Sequence, residues 1–214
     1  MSEKSREEAI VIRQEEIADG VFSMWLKTDE IAKNAKAGQF ISVYCKDGSR
    51  MLLGPLGNGF PKKSKKAILI GGGIGIPPML ELAKELECEK QIVLGYRDEL
   101  FLTEEFEKAG EIYLATEDGS MGTKGTVLDA IRVNELKADI IYACGPTPML
   151  KEEKEYAKEA GIESWISMEE RMACGVGACL GCVCKTTHKD AHSHVNNARI
   201  CTDGPVFEAR EVEI

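Results

Sequence analysis

Short apolar stretches broken by charged and glycine-containing segments mark the first 66 residues as β structure. Strands are predicted at 9–15, 20–27 and 39–45, with a shorter one at 50–53. The pattern changes at Lys66, where an apolar run through Ile70 stops abruptly in Gly71, Gly72, Gly73, Ile74, Gly75, Ile76, Pro77 and Pro78. Residues 79–86 then place apolar side chains at helical spacing among good helix formers. Further strands are predicted at 91–96, 111–116 and 139–144, with helical segments at 101–109, 124–132 and 148–160 between and after them. Strand and helix alternating at this interval predict a parallel sheet that binds its ligand at the carboxyl ends of the strands. A last run, Glu163 to Met168, reads as a strand leading into a cysteine-rich loop.

The chain thus reads as α/β plus β in three parts. Residues 1–66 form an antiparallel β domain, 67–160 a dinucleotide-binding α/β domain, and 161–214 a small cysteine-bearing domain. Within the second part, Gly71, Gly72, Gly73 and Gly75 lie between a strand and a helix, the arrangement that cradles a pyrophosphate on a helix N-terminus. The run departs from G-x-G-x-x-G, with Pro77 in the region of the third glycine, and a plain tight turn is the alternative. Cys144, Gly145 and Pro146 fall at the end of a later strand, where Cys144 either faces a ligand or merely closes the strand as a small buried residue. Asp98, Glu117 and Asp118 are placed to meet a ribose or to be simply solvated.

Cys174, Cys179 and Cys182 have the spacing C-x4-C-x2-C, with Cys201 as a distant fourth, the pattern of plant-type [2Fe–2S] ligation. Gly175, Gly177 and Gly181 suit a loop wrapped tightly about a small inorganic core, because glycine accepts positive φ and exposes its N–H. Zinc, which usually takes two short C-x2-C hooks, and disulfides are the alternatives. Cys184 competes as a ligand, but Cys201 is preferred because an all-local set would strain the loop. Cys45 and Cys88 read as ordinary semi-buried positions. His188, His192 and His194 read as a solvated hairpin tip, with hydrogen bonding toward the cluster from His192 or His194 as the alternative.

Composition narrows the possibilities. The 214 residues are 43% hydrophobic, enough for one large or two to three small domains. A net charge of −9 and a pI near 5.0 argue against nucleic acid. No apolar stretch approaches the ~18 residues of a membrane span. The charged start of the chain lacks a signal-peptide core, and eight cysteines without that signal point to a reducing, cytoplasmic setting.

The order of these motifs, with Gly54-Pro-Leu-Gly-Asn-Gly-Phe60 and Cys201-Thr-Asp-Gly-Pro-Val-Phe207, resembles the electron-transfer subunits of dihydroorotate dehydrogenase B in the ferredoxin–NADP reductase superfamily. The resemblance covers nearly the whole chain. It implies an FAD-binding barrel, a nicotinamide-binding domain and a [2Fe–2S] domain, with NAD(H) as substrate. It further implies an FMN-containing dihydroorotate dehydrogenase catalytic subunit as partner in a heterotetramer of pyrimidine biosynthesis. By the same resemblance the cluster ligands are Cys174, Cys179, Cys182 and Cys201. The nucleotide contacts are Gly71, Gly72, Gly73, Gly75, Cys144, Gly145 and Pro146, and no side chain acts as acid or base.

One part of the family pattern is missing. The Arg-Pro-x-Ser-like strand that holds FAD has no counterpart, since Gly38 to Tyr44 runs almost directly into Gly54, and Arg50 comes too early without the Pro-x-Ser context. Residues 1–66 hold about four strands, too few for a closed six-stranded barrel. Two other readings remain: a reductase subunit of a hydrogenase or of a bifurcating NAD(P)H–ferredoxin complex, and a cluster-carrying module that has lost FAD and turnover. Trp165 reads as core or interface. Met172, Val176, Leu180 and Val183 read as a docking patch around the cluster, half of them able to face inward.

Overall fold

The computed structural model describes residues 4–46, 49–189 and 194–214. The N-terminal part contains β1 (Ser5–Ala18), β2 (Val21–Lys27), a one-turn helix α1 (Glu30–Asn34), β3 (Phe40–Lys46) and β4 (Ser49–Leu56). These strands form an open antiparallel sheet in the order β2-β1-β4-β3, so the four predicted strands are present and the sheet is not closed. Its private core is small, made of Ala9, Ile31 and Leu52 with Leu26 against them. Ile10, Ile12, Phe22, Trp25 and Tyr44 are more than half exposed. Cys45, expected to be semi-buried, is exposed on this sheet, whereas Cys88 is partly covered.

The α/β part runs β5 (Ala67–Gly72), α2 (Ile76–Glu85), β6 (Lys90–Tyr96), α3 (Thr103–Glu107), β7 (Glu111–Thr116), β8 (Thr123–Lys124), α4 (Val127–Val133), β9 (Ile140–Cys144) and α5 (Thr147–Ala160). Helix α2 begins three residues before the predicted segment, because Pro77 and Pro78 occupy its first turn, where a missing N–H costs nothing. Helix α4 starts late because Thr126 caps it: its hydroxyl accepts from the Asp129 N–H while Asp129 accepts from the Thr126 N–H. Helix α3 is shorter than the predicted 101–109, starting at Thr103 after Leu102, which has φ +61°.

The chain continues through β10 (Glu163–Ser167), β11 (Val183–Thr186), β12 (Asn197–Arg199), β13 (Val206–Glu208) and β14 (Val212–Glu213). The large sheet has seven strands in the order β13-β10-β9-β5-β6-β7-β8. It therefore takes in two strands from beyond residue 160: β10 runs parallel to β9, and β13 runs antiparallel to β10. Three short strands, β12-β11-β14, make a separate small sheet.

Strand alternation builds two cores, one on each face of the seven-stranded sheet. Ile68 and Ile70 of β5 point to one side and Leu69 to the other, as a period of two requires. The first core also contains Cys182, Cys184, Ile200, Cys201, Phe207 and Val212. The cysteine-rich domain is thus packed on the α/β sheet instead of standing on a core of its own.

Between β4 and β5, the chain is held to the α/β part by Tyr142, which is fully buried. Its hydroxyl donates to the Pro61 carbonyl (2.8 Å) and accepts from the Lys63 N–H (3.3 Å). Its ring meets Phe60 edge-on at 5.8 Å. Burial pushes its phenol up to about 12. Tyr142→Phe leaves the Pro61 and Lys63 backbone groups unpaired; urea unfolding is expected to show a loss of roughly 1–3 kcal/mol with an unchanged m-value.

Candidate functional site

The order of the large sheet locates the site. From β5 the chain moves outward to β6 and β7, then returns to β9 on the other side of β5 and continues to β10. The reversal falls between β5 and β9, and ligands bind outside the carboxyl ends of strands at such a switch point. Gly71 to Gly75 follow β5 and Cys144 to Pro146 follow β9, so both predicted nucleotide motifs flank it.

Residue size governs how closely they meet. A Cβ on Gly75 would lie 2.2 Å from the Cys144 carbonyl oxygen, and one on Gly145 would lie 2.4 Å from Cε of Met149 and 3.2 Å from Cα of Gly72. The glycine turn and the end of β9 are therefore in backbone-to-backbone contact. Pro146 provides the extended residue from which α5 starts.

A cavity of about 400 Å³ opens at this point. One wall is Ile74, Gly75, Cys144 and Gly145. A second is the segment before β3 and its start, including Gln39, Phe40 and Ser42. A third is the segment leaving β10, from Ser167 to Gly175. Burial pushes the Cys144 thiol up to about 11, against a hydrogen bond from Ser167 that favours the thiolate, so the sulfur is a neutral thiol at neutral pH. Asp98, Glu117 and Asp118 stand exposed beyond β6 and β7, where Asp98 pairs with Arg97 at 3.6 Å and Asp118 accepts from the Ser120 N–H. Arg50 lies in β4, opposite Ala9 and Cys45.

The third wall leads into the cysteine loop. Cys174 accepts from the N–H groups of Ala178 (3.3 Å) and Cys179 (3.4 Å). Cys179 accepts from Gly181 and Cys182 from Cys201, both at 3.4 Å. Backbone N–H groups, that of Val176 foremost, and the neighbouring Cys179 thiol hold the Cys174 thiol down to about 6. Cys201 is buried and, through burial and the adjacent Cys182, is pushed up to about 11. Cys179 acts on the Cys174 thiol, and both Cys182 and Cys174 act on that of Cys201. Among the described residues no three His, Cys, Asp or Glu side chains form a single-ion site. Cysteine sulfurs that accept from several backbone N–H groups suit the negative charge of an iron–sulfur core, which zinc ligation does not require.

Gly175 and Gly177 take positive φ (+66° and +83°) as the tight loop requires, but Gly181 does not; the adjacent Leu180 does, at +56°. Cys184 is buried in β11 opposite Ala198, within the shared core. Val176 and Leu180 face outward, Val183 is half-buried and Met172 lines the cavity. His188 and His194 are exposed, and His192 lies outside the described residues. Trp165 is half-buried; its Nε1 donates to Glu163 (2.7 Å), and the Lys63 ammonium sits 5.2 Å from the ring centroid. Burial favours the neutral form of Glu163, but Lys63, Lys65 and Trp165 outweigh it and hold the carboxyl down to about 2.

Gln39, Ser42 and Ser167 line the cavity without having been singled out from the sequence. Ser167 was findable: it ends a strand, and placing β10 beside β9 would have put it at the switch point.

The family model for the iron–sulfur cluster binding domain of dihydroorotate dehydrogenase B matches residues 169–213. The dihydroorotate dehydrogenase B (NAD(+)) electron transfer subunit of Caldanaerobacter subterraneus subsp. tengcongensis is 47% identical over 163 residues, covering 75% of this chain and 65% of that protein. That of Bacillus pumilus is 36% identical over 255 aligned positions, covering 95% of this chain and 96% of the relative. The chain spans about two thirds of the length of the first of these relatives. The longer alignment has roughly fifty more positions than this chain contributes, so the relative carries an internal stretch with no counterpart here. Among solved structures, an NADH-dependent reduced ferredoxin–NADP oxidoreductase studied for flavin-based electron bifurcation superimposes with TM-score 0.82 at 26% identity, over 95% of this chain and 88% of its own. The ferredoxin reductase of carbazole 1,9a-dioxygenase, in its FAD apo form, shares the fold at TM-score 0.53 and 18% identity, over 74% of this chain and 63% of its own.

The contact between turn and strand end predicts unequal costs for two glycines. Gly75→Ala drives Cβ into the Cys144 backbone and is expected to cost roughly 1–3 kcal/mol. At Gly73, with φ +52° and nothing within 4 Å of an added Cβ, alanine is expected to cost about 1 kcal/mol from backbone strain alone. Denaturant unfolding of the two variants measures both, and equal losses would remove the case for close packing at Gly75.

Proposed function

This chain belongs to the family of dihydroorotate dehydrogenase B electron-transfer subunits, and from that we propose that it passes electrons between NAD(H), a flavin and a [2Fe–2S] cluster, to or from a dihydroorotate dehydrogenase catalytic subunit. The partner is taken to carry FMN and to assemble with it as a heterotetramer in the cytoplasm. Among the described residues no helix is long and apolar enough to cross a membrane. The observation that carries the reading is the shared cavity: its walls are the ends of the predicted nucleotide motifs on one side and, on the other, the segment from Ser167 to Gly175 that leads into the cysteine loop.

When bound, NADH supplies two electrons as a hydride, the flavin divides the pair, and the cluster takes one electron at a time. The chain's own residues prepare places for these groups. The backbone of Gly71, Gly72, Gly73 and Gly75 at the start of α2 would receive the pyrophosphate on N–H groups and the positive end of the helix. Cys144, Gly145 and Pro146 would bound the nicotinamide, with a neutral thiol that adds no charge beside the ring. Cys174, Cys179, Cys182 and Cys201 would hold the irons, and their N–H donors would lower the cost of the cluster's negative charge. No side chain acts as acid or base.

For the flavin, Gln39, Phe40 and Ser42 supply one wall, and the stretch that relatives carry in addition is absent. That absence, with the open N-terminal sheet, favours as second reading a cluster-carrying module that lacks FAD and turnover. The similarity to the bifurcating oxidoreductase over 95% of the chain favours a reductase subunit of that kind as a third.

Anaerobic iron, sulfide and FAD analysis of the purified chain, followed by NADH titration with and without the catalytic subunit, separates these readings. Retained FAD and dihydroorotate-linked reduction of the cluster are expected. An intact cluster without FAD, inert to NADH even with the partner, would establish the module; reduction coupled only to ferredoxin would establish the third reading. Serine at Cys174, Cys179, Cys182 or Cys201 is expected to abolish [2Fe–2S] stoichiometry, whereas Cys184→Ala is expected to keep it, as iron analysis and visible absorption would report.

A further inference from the structure

Ser167 and Cys144 both line the cavity from strand positions paired on two sides, Cys144 between Gly71 and Ser167, and Ser167 between Cys144 and Val206. The residue after Ser167 is pinned too, since the Met168 N–H donates to the Pro205 carbonyl at 2.9 Å. Ser167 is 8% exposed and lines the same cavity as Cys144. Opposite it, the Cys144 main chain is held by the close approach of Gly75. The remaining freedom at Cys144 is the rotation of its thiol about χ1, which has three staggered wells.

We propose that Ser167 is a positioning residue of the hydride-transfer site, its hydroxyl holding the Cys144 sulfur in one orientation at the cavity wall. This rests on the reading of the cavity as the nicotinamide site. A hydroxyl is suited to the task because it donates one hydrogen bond and rotates to meet its partner. Strand register places the two side chains next to each other on the cavity wall, within reach of a hydroxyl–sulfur hydrogen bond, and such a bond favours the thiolate over the thiol. Both residues end adjacent strands of a rigid sheet, so the pair is placed more precisely than loop residues would be. The same strand end carries the chain on toward Cys174, so one backbone segment sets both the thiol orientation and the start of the cluster loop.

The test compares the cluster-loaded chain with Ser167→Ala and Ser167→Thr, using three readouts. The first is NAD+ binding by calorimetry. The second is the rate of Cys144 alkylation by iodoacetamide at fixed alkaline pH, resolved by peptide mass spectrometry with and without NAD+. The third is NADH-dependent ferricyanide reduction by the complex with its catalytic subunit. In Ser167→Ala, alkylation of Cys144 is expected to slow about fivefold through loss of thiolate stabilisation, and kcat to fall about tenfold with KM within about twofold. Threonine, which keeps the hydroxyl, is expected to restore both to within about twofold of the original. Unchanged alkylation and kcat in the alanine variant, or threonine behaving like alanine, would overturn the proposal. So would a parallel loss of cluster absorbance or of melting temperature, which marks a purely structural role. Failure of the unmodified chain to bind NAD+, with no protection of Cys144 by NAD+, would instead overturn the nicotinamide reading on which it rests.

Discussion

The approach of two backbones, the Gly73–Gly75 turn against Cys144 and Gly145, is the constraint around which this molecule is arranged. A Cβ at 75 would run into the Cys144 backbone, so glycine is needed there, and one at 145 would press on the Met149 side chain and on Gly72. The contact closes the gap between β5 and β9 at the switch point, which leaves the cavity beside the strand ends and not between them. Once β9 is fixed in this way, β10 beside it is fixed by parallel pairing and β13 by the antiparallel pairing beyond. The cluster loop hangs between those two strands. A geometric requirement in the glycine turn thereby reaches residues as far along as Val206.

A small iron–sulfur domain has too little interior to stabilise itself. Here the deficit is met by sharing: Cys182, Cys184, Ile200, Cys201 and Phe207 pack in the same core as Ile68, Val93 and Leu150. Asn58 adds a polar seam. Its side-chain amide donates to the Val206 carbonyl (2.7 Å) and accepts from the Val206 N–H (2.9 Å), while its own N–H donates to the Gly204 carbonyl. The segment between β4 and β5 thus touches the return strand of the cluster domain, which brings all three parts to one place. The thiols differ accordingly: Cys174, more open and held by N–H donors, is the readily ionised one, and Cys182 and Cys201 are anchored in the core.

Much of this was legible beforehand. The period-two and helical patterns placed nearly every element of the α/β part, since long apolar runs such as Ile68 to Ile70 have few ways to be buried. The cysteine spacing and the two glycine-containing strand ends stood out because each combines scarce residue types at fixed intervals. Helix starts were less so: α2 extends back through two prolines and α4 waits for its Thr126 cap, choices made by a single turn's hydrogen bonds. Leu180 taking the positive φ expected of Gly181 was invisible, because residue preference points to the glycine. The cavity's Ser167 and Gln39 were hidden for another reason. They come from chain segments far apart, and only the strand order brings them together.

The open N-terminal sheet shows how the cavity keeps its wall without a closed barrel. In that sheet, β1 pairs with both β2 and β4, and β4 with β3, so the four remaining strands are continuous despite the missing stretch. What is lost is closure, and the cost falls on side chains such as Ile10, Phe22 and Trp25, which stay in water. The cavity wall, by contrast, comes from the entry to β3, whose position depends on local bonds. Gln39 donates to the Gly57 carbonyl (2.8 Å) and accepts from the Lys36 N–H (2.9 Å), and Phe60 donates through its N–H to the Ala37 carbonyl (2.9 Å). These bonds tie residues 36–39 to residues 57–60, the segment that Tyr142 and Asn58 hold to the α/β sheet and the cluster domain. The wall of the site is therefore carried by hydrogen bonds within this chain that do not depend on closing the N-terminal sheet.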